Sequence, residues 1–125
     1  MLLARFAGFF GFTGVALGAI GAHLLKPQLQ TLGTTELWHR AALYHLLHAA
    51  CLLALCFTPS PTPAPLRLAM RFFCVGIVLF SGSLYFMALG APRWFGAITP
   101  LGGLAFLIAW AGIFIWGFQR RQMNA

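Results

Sequence analysis

Acidic side chains are nearly missing from this chain. Glu36 is the single carboxylate among 125 residues, which excludes any mechanism that needs two, the glycosidase pair included. Charge of either sign is scarce, at 7% of residues against about 25% in an ordinary soluble domain. Eight Lys/Arg and one Glu cannot coat a globule of this size, so the composition demands lipid as solvent. The eight cations are split among six places. They form no patch, and a nucleic-acid partner is excluded despite the formal charge of +7. Cysteine is also sparse. Cys51, Cys56 and Cys74 share no C-x-x-C spacing and sit in apolar stretches. They read as reduced thiols packing as small hydrophobes, not as a disulfide framework. Ser81 and Ser83 have no acid or second base near them in sequence, so no activated nucleophile is in view and the chain reads as non-enzymatic.

What the chain has is apolar length. Apolar residues make up 61%, against roughly 45–50% in soluble proteins. A hydrocarbon core of roughly 30 Å takes about 20 such residues as a helix, and the runs 6–25, 37–57, 66–90 and 97–118 each reach that length. Lys26-Pro27 closes the first run, Thr58-Pro59 the second, Gly90-Ala91-Pro92 the third and Gln119-Arg120-Arg121 the fourth. Thr34 and Thr35 offer N-caps to the second, Glu36 suits its first turn, and Arg40 lies close enough to the start to snorkel. Between the second and third runs, residues 58–65 carry Pro59, Pro61, Pro63 and Pro65. That spacing predicts a stiff polyproline II connection, with a docking peptide as the alternative. Arg5 before an apolar run resembles a secretory leader, but the uncharged stretch exceeds the roughly 7–15 residues of a leader, so a retained helix is expected.

The expected fold is an all-α membrane protein, one domain over 1–125, built as a four-span antiparallel transmembrane helix bundle. With four crossings both termini share a side. That side holds Arg5, Arg67, Arg71, Arg120 and Arg121; the other holds Lys26, Arg40 and Arg93 beside Glu36. The positive-inside rule then makes both termini and the 58–65 linker cytoplasmic. Trp38, Trp94 and Trp116 fall near run ends, as an interfacial aromatic belt would have them.

Helices solvated by lipid associate through close backbone contact. Gly8, Gly11, Gly14, Gly18 and Gly21 form a stripe along the first run, and Gly102, Ala105, Ala109 and Gly112 form another along the fourth. These stripes are expected to pack inside one subunit, with homo-oligomerisation as the alternative. Polar residues inside lipid are functional candidates by default. At about 1.5 Å per residue from the outer interface, His45 lies roughly 12 Å deep, His48 roughly 16 Å, Tyr85 roughly 8 Å and Ser81 roughly 14 Å. His23 and Thr99 lie on the same outer side. Tyr44 shares a helix face with His48, as Ser81 does with Tyr85. His23, Tyr44, His45, His48, Ser81, Tyr85 and Thr99 are thus expected to converge on an outward-facing polar pocket. A packing network joining His48 across the bundle to Tyr85, Ser81 or a backbone carbonyl, a metal or haem site on the histidines, and a proton or substrate relay all remain open. No metal or cofactor is assigned.

Four sequence blocks carry a family resemblance. They are Gly18-Ala19-Ile20-Gly21-Ala22-His23; Trp38 with Tyr44-His45-Leu46-Leu47-His48; Phe80-Ser81-Gly82-Ser83-Leu84-Tyr85; and Ile98-Thr99-Pro100-Leu101-Gly102-Gly103 running on to Trp110. In this order they resemble the small four-helix membrane family of unknown function typified by bacterial YgdD and YwdK, which has a mitochondrial transmembrane relative in animals. The resemblance covers residues 6–118, with one departure: the family usually has glutamine where this chain has His45. It implies a multi-pass protein of the bacterial inner, or plasma, membrane and brings no reaction, ligand or partner. Pro100 and Gly102-Gly103 would allow a distorted first turn whose free backbone groups face the pocket.

The expected function is that of a non-catalytic accessory or structural subunit, with the bilayer as its surroundings and a second copy or another membrane protein as possible partner. A small oligomeric transporter or channel using His48, Tyr85 and Ser81 is one alternative. A haem-, metal- or quinone-binding redox subunit is the other.

Overall fold

The computed structural model describes residues 2–58 and 61–123, and every regular element among them is helical. In chain order they are α1 (Leu2–Ala22), α2 (Lys26–Leu32), α3 (Thr35–Leu55), α4 (Ala64–Gly76), a π-helical turn (Ile77–Ser81), α5 (Gly82–Ala88), a 3-10 turn (Arg93–Ala97) and α6 (Thr99–Met123). The stretch Ala64–Ala88 is helical throughout. By length and composition, Leu3–Ala22, Ala64–Ala88 and Arg93–Gln122 are each able to cross a membrane. α3 is as long as α1, at 21 residues, but Glu36, His39, Arg40, His45 and His48 keep it outside that set.

The first expected boundary is wrong for a physical reason. α1 stops at Ala22, not Leu25, and Lys26-Pro27 opens a short helix that the sequence reading lacks. Proline in a first turn loses nothing, because that N–H has no intrahelical acceptor. α2 then buries Leu29 completely and ends at Gly33, whose left-handed φ of 66° returns its N–H to the carbonyls of Gln30 and Leu29. The proline connection is also shorter than expected. Pro63 keeps a polyproline II backbone, whereas Pro65 lies inside the first turn of α4; Pro59 and Ser60 lie outside the described residues.

Neighbouring long helices run antiparallel. α1 packs on α3, and α4 with the π turn packs on α6. Two cores result. At the end carrying the 58–63 connection, Leu52, Leu55, Leu66, Ala69, Phe73 and Phe106 are buried together. At the other end Leu29, Trp38, Ala41, Leu84, Tyr85 and Ala88 form the second core.

Small residues set the helix spacing, though not all those expected. A Cβ on Gly14 would press on Leu46, and one on Gly21 would overlap the Trp38 indole. Gly8, Gly11 and Gly18 face open space instead. Seven residues make nearly two helical turns, so Ala7, Gly14 and Gly21 form one row toward α3, and Gly11 and Gly18 a second row about 60° away. The α6 stripe is covered throughout, by the third helical stretch. A Cβ on Gly102 would overlap the backbone of Phe80, and one on Gly112 would lie 2.8 Å from the Pro65 carbonyl. Ala105 and Ala109 are buried between them.

Candidate functional site

The polar residues inside the bundle fall into separate groups, not one pocket. His45 is buried and belongs to the first. Its Nε2 lies 3.3 Å from Thr13 Oγ1 on α1, and its Nδ1 lies 3.4 Å from the Tyr85 hydroxyl on α5. Thr13 Oγ1 donates to the Phe9 carbonyl at 2.9 Å. One proton arrangement satisfies all three side chains: Tyr85 donates to Nδ1, the Nε2–H donates to Thr13, and Thr13 donates to its own helix. The Trp38 ring meets Tyr85 edge-on at 4.7 Å, and its Nε1 donates to the Leu17 carbonyl at 3.0 Å. Trp38 was expected in an interfacial belt. It is 2% exposed because the gap beside Gly21 admits the indole between α1 and α3.

His48, one helical turn on, faces another neighbour. Its Nδ1 donates to the Tyr44 carbonyl at 2.7 Å, which leaves Nε2 to accept from Trp110 Nε1 at 3.4 Å. The imidazole lies flat on Phe106, with centroids 3.6 Å apart and planes 7° from parallel. Phe73 closes the other side. The expected link from His48 to Tyr85 or Ser81 is therefore absent, and His45 makes the Tyr85 contact. Three residues on a helix are about 60° apart in direction, enough to send His45 toward α1 and α5 and His48 toward α6.

The remaining candidates disperse. Thr99 Oγ1 lies 2.7 Å from Ser83 Oγ, linking the start of α6 to α5. Ser81 is fully buried in the π turn, and its Oγ has no hydrogen-bond partner. Tyr44 alone stays beside His48: it is exposed, stacked on the imidazole with centroids 5.9 Å apart and tilted against Phe80 at 4.5 Å. His23 is exposed past the end of α1, away from the others. The first turn of α6 does not leave its backbone groups free as expected, since the N–H groups of Leu101 and Gly102 both bond to the Ile98 carbonyl. Thr34 does not cap α3 with its side chain; its hydroxyl donates to the Ala88 carbonyl at 2.7 Å and ties the α2–α3 corner to the end of α5.

Between α3 and α6 a groove of about 820 Å³ opens along the side of the bundle. Tyr44, His48, Phe80, Phe106 and Trp110 give it an aromatic wall, and Pro100 stands at one end. Among the described residues no cluster of three or more His, Cys, Asp or Glu side chains is arranged to hold a metal ion. Thr13 and Trp110 are the partners that sequence reasoning missed. Thr13 was visible as a lone hydroxyl within an apolar run, and Trp110 as the far end of the fourth block.

Residues 17–103, which include His45, His48 and Tyr85 but not Thr13, Phe106 or Trp110, match the family described as "Protein of unknown function (DUF423)". The chain belongs to this family. It is 41% identical over 96 residues to a UPF0382 membrane protein of Staphylococcus epidermidis, covering 77% of this chain and 78% of the other. It is 39% identical over 103 residues to the UPF0382 membrane protein YwdK of Bacillus subtilis (81% and 83%). It is likewise 39% identical over 114 residues to the UPF0382 inner membrane protein YgdD of Escherichia coli K12 (85% and 81%). No solved structure matches. Family membership and three apolar helices long enough to span agree that this is a membrane protein.

Proposed function

We propose that the chain is a four-span protein of the inner membrane, with both termini in the cytoplasm, acting as a non-catalytic accessory or structural subunit. α3 is the fourth crossing in this reading. The support is that its interior polar groups turn away from lipid: His45 and His48 are 5% and 2% exposed, and Arg40 is within snorkelling reach of the helix start. The observation that carries the functional reading is that, Ser81 apart, the buried polar side chains are satisfied within the bundle. Thr13, His45 and Tyr85 form one closed set, and Ser83 with Thr99 another. Groups consumed in this way fix helix register and are not left to act on a substrate. A transport path has less support, because Leu52, Leu55, Leu66 and Phe73 fill the other half of the bundle with apolar side chains.

Single-cysteine variants in the native membrane test the topology. Gln30→Cys, before α3, should react with an impermeant maleimide from the outside, and Thr62→Cys, after it, only once the membrane is opened. Labelling of both positions from the same side would overturn the four-span reading. The accessory role is tested by in vivo photocrosslinking from Leu107 on the groove rim. A single membrane-protein adduct supports it, and a soluble substrate in its place would overturn it.

The groove favours one second reading. Its aromatic wall and the flat His48–Phe106 stack suit a lipid-soluble ring compound, such as a quinone or porphyrin. A visible absorption band in purified protein that is lost in His48→Leu would move the function to that reading.

A further inference from the structure

A second groove, remote from the histidines, lies between α1 and α4 at the end of the bundle carrying the 58–63 connection. Its volume is about 510 Å³. Arg67 and Arg71 stand on one face of α4, four residues and about 6 Å apart along the axis, and both border the groove and are exposed. Arg67 Nη1 donates to the Thr62 carbonyl at 2.5 Å, which holds that guanidinium at the mouth. The rest of the lining is apolar apart from Thr62: Leu3 and Phe6 from α1, and Met70, Cys74 and Val75 from α4, the last two beyond Arg71.

The charges at this mouth have no acidic side chain to meet. Glu36, the only one in the chain, is in the first turn of α3, and α3 runs about 30 Å before its far end reaches the connection to α4. Arg5, Arg120 and Arg121 gather at the same end, so five of the eight cations stand there without a carboxylate side chain. No side chain of the protein supplies a counter-charge here. A free anion would satisfy the guanidinium groups and leave the apolar slot between α1 and α4 unfilled. A molecule with an anionic head and a hydrocarbon tail fills both parts.

We infer that this groove is a binding site for an anionic phospholipid. The phosphate sits between Arg67 and Arg71, where the guanidinium fork matches paired phosphate oxygens. One acyl chain lies along Phe6, Met70, Cys74 and Val75. The site is distinct from the α3–α6 groove and needs no assumption about what that groove holds.

Native mass spectrometry of the full chain, released from micelles containing equal amounts of phosphatidylglycerol and phosphatidylcholine, tests the inference. Each arginine near a net-anionic head group contributes roughly fivefold, whereas the choline ammonium cancels the phosphate charge of phosphatidylcholine, so the pair should favour phosphatidylglycerol by about 25-fold. In parallel, site-resolved alkylation should show phosphatidylglycerol slowing modification of Cys74 but not of Cys51, with inorganic phosphate having no effect. R67Q/R71Q should lose both the preference and the protection. R120Q/R121Q removes the same charge at the same end and should keep them. Equal binding of the two lipids, protection by inorganic phosphate alone, or equal loss in both double variants would each overturn the proposal. If R67Q/R71Q fails to fold by circular dichroism, the wild-type comparison of the two lipids and phosphate still decides it.

Discussion

At the end of the bundle carrying α2 and the 3-10 turn, α1, α3 and α5 meet around Trp38 and Tyr85, and side-chain hydrogen bonds tie them: Trp38 to Leu17, Thr34 to Ala88, Tyr85 to His45 and His45 to Thr13. Along the seam where α4 and the π turn pack on α6 no such ties form: the Phe80 backbone comes close at Gly102, the Phe106 ring at Gly76 and the Pro65 carbonyl at Gly112, with Ala69 and Ala109 buried between. The difference follows from what lipid removes. Without a hydrophobic drive between helices, dispersion contacts or hydrogen bonds must supply association. Dispersion needs small residues in an unbroken row. Hydrogen bonds tolerate a wider gap but require every partner to be present. The small-residue seam should therefore be sensitive to added volume, and the hydrogen-bonded end to lost polar atoms.

The largest effect is expected from Gly102→Leu. A side chain there meets the Phe80 backbone, which cannot rotate aside as a side chain would. Overpacking of this kind costs about 3 kcal/mol or more, and SDS-titrated unfolding in mixed micelles should show most of the stability gone. Gly18→Leu is the matched control. Its position opens on free space, so a change within about 0.5 kcal/mol is expected. If the two variants lose stability equally, the contrast between covered and open glycines is wrong.

These glycines also show how far the sequence could be read. The long apolar runs were legible because a hydrocarbon slab imposes one length on any helix that crosses it. The covered row on α1 was not, because the stripe of five glycines contains two rows only about 60° apart, and nothing in the spacing tells which one a neighbour covers. The same 60° separates His45 from His48. Reading them as one face was correct for the isolated helix and wrong for the bundle, where that angle selects between α1 and α6. α2 was missed because Lys26-Pro27 serves equally as a stop and a start. The π turn left no mark in the pattern at all. It inserts a residue where Phe80 meets Gly102, a backbone contact made only after α4 and α6 have packed. Of the candidate site, each residue was legible as a polar group in lipid; its partner was not.

His45→Leu should cost about 1 kcal/mol, smaller than the glycine effect, because it leaves the Tyr85 hydroxyl buried without an acceptor. A double-mutant cycle of His45→Leu with Tyr85→Phe isolates the pair, and a coupling near the typical 0.6 kcal/mol, roughly, is expected for hydrogen bonds between membrane helices. His48→Leu gives the contrast three residues away. Its ring is held by Phe106 and Phe73 as much as by Trp110, so coupling to Trp110→Phe should be smaller still. Zero coupling for His45 with Tyr85 would remove the hydrogen-bonded network as the basis of that end.

One effect should have the opposite sign. Ser81 and Ser83 are two residues apart and both buried, yet Ser83 bonds to Thr99 and to the Phe80 carbonyl while the Ser81 hydroxyl bonds to nothing. Replacing a buried, unpaired hydroxyl by hydrogen removes a desolvation penalty. Ser81→Ala should therefore stabilise the protein, by on the order of 1 kcal/mol, whereas Ser83→Ala should destabilise it by a similar amount. Measured in the same unfolding titration, the pair needs no absolute scale, since the two shifts must point in opposite directions. A loss at Ser81 equal to that at Ser83 would mean that the π turn is held by a bond from Ser81, and that the turn itself, not the α5–α6 contact beyond it, joins the two ends of the bundle.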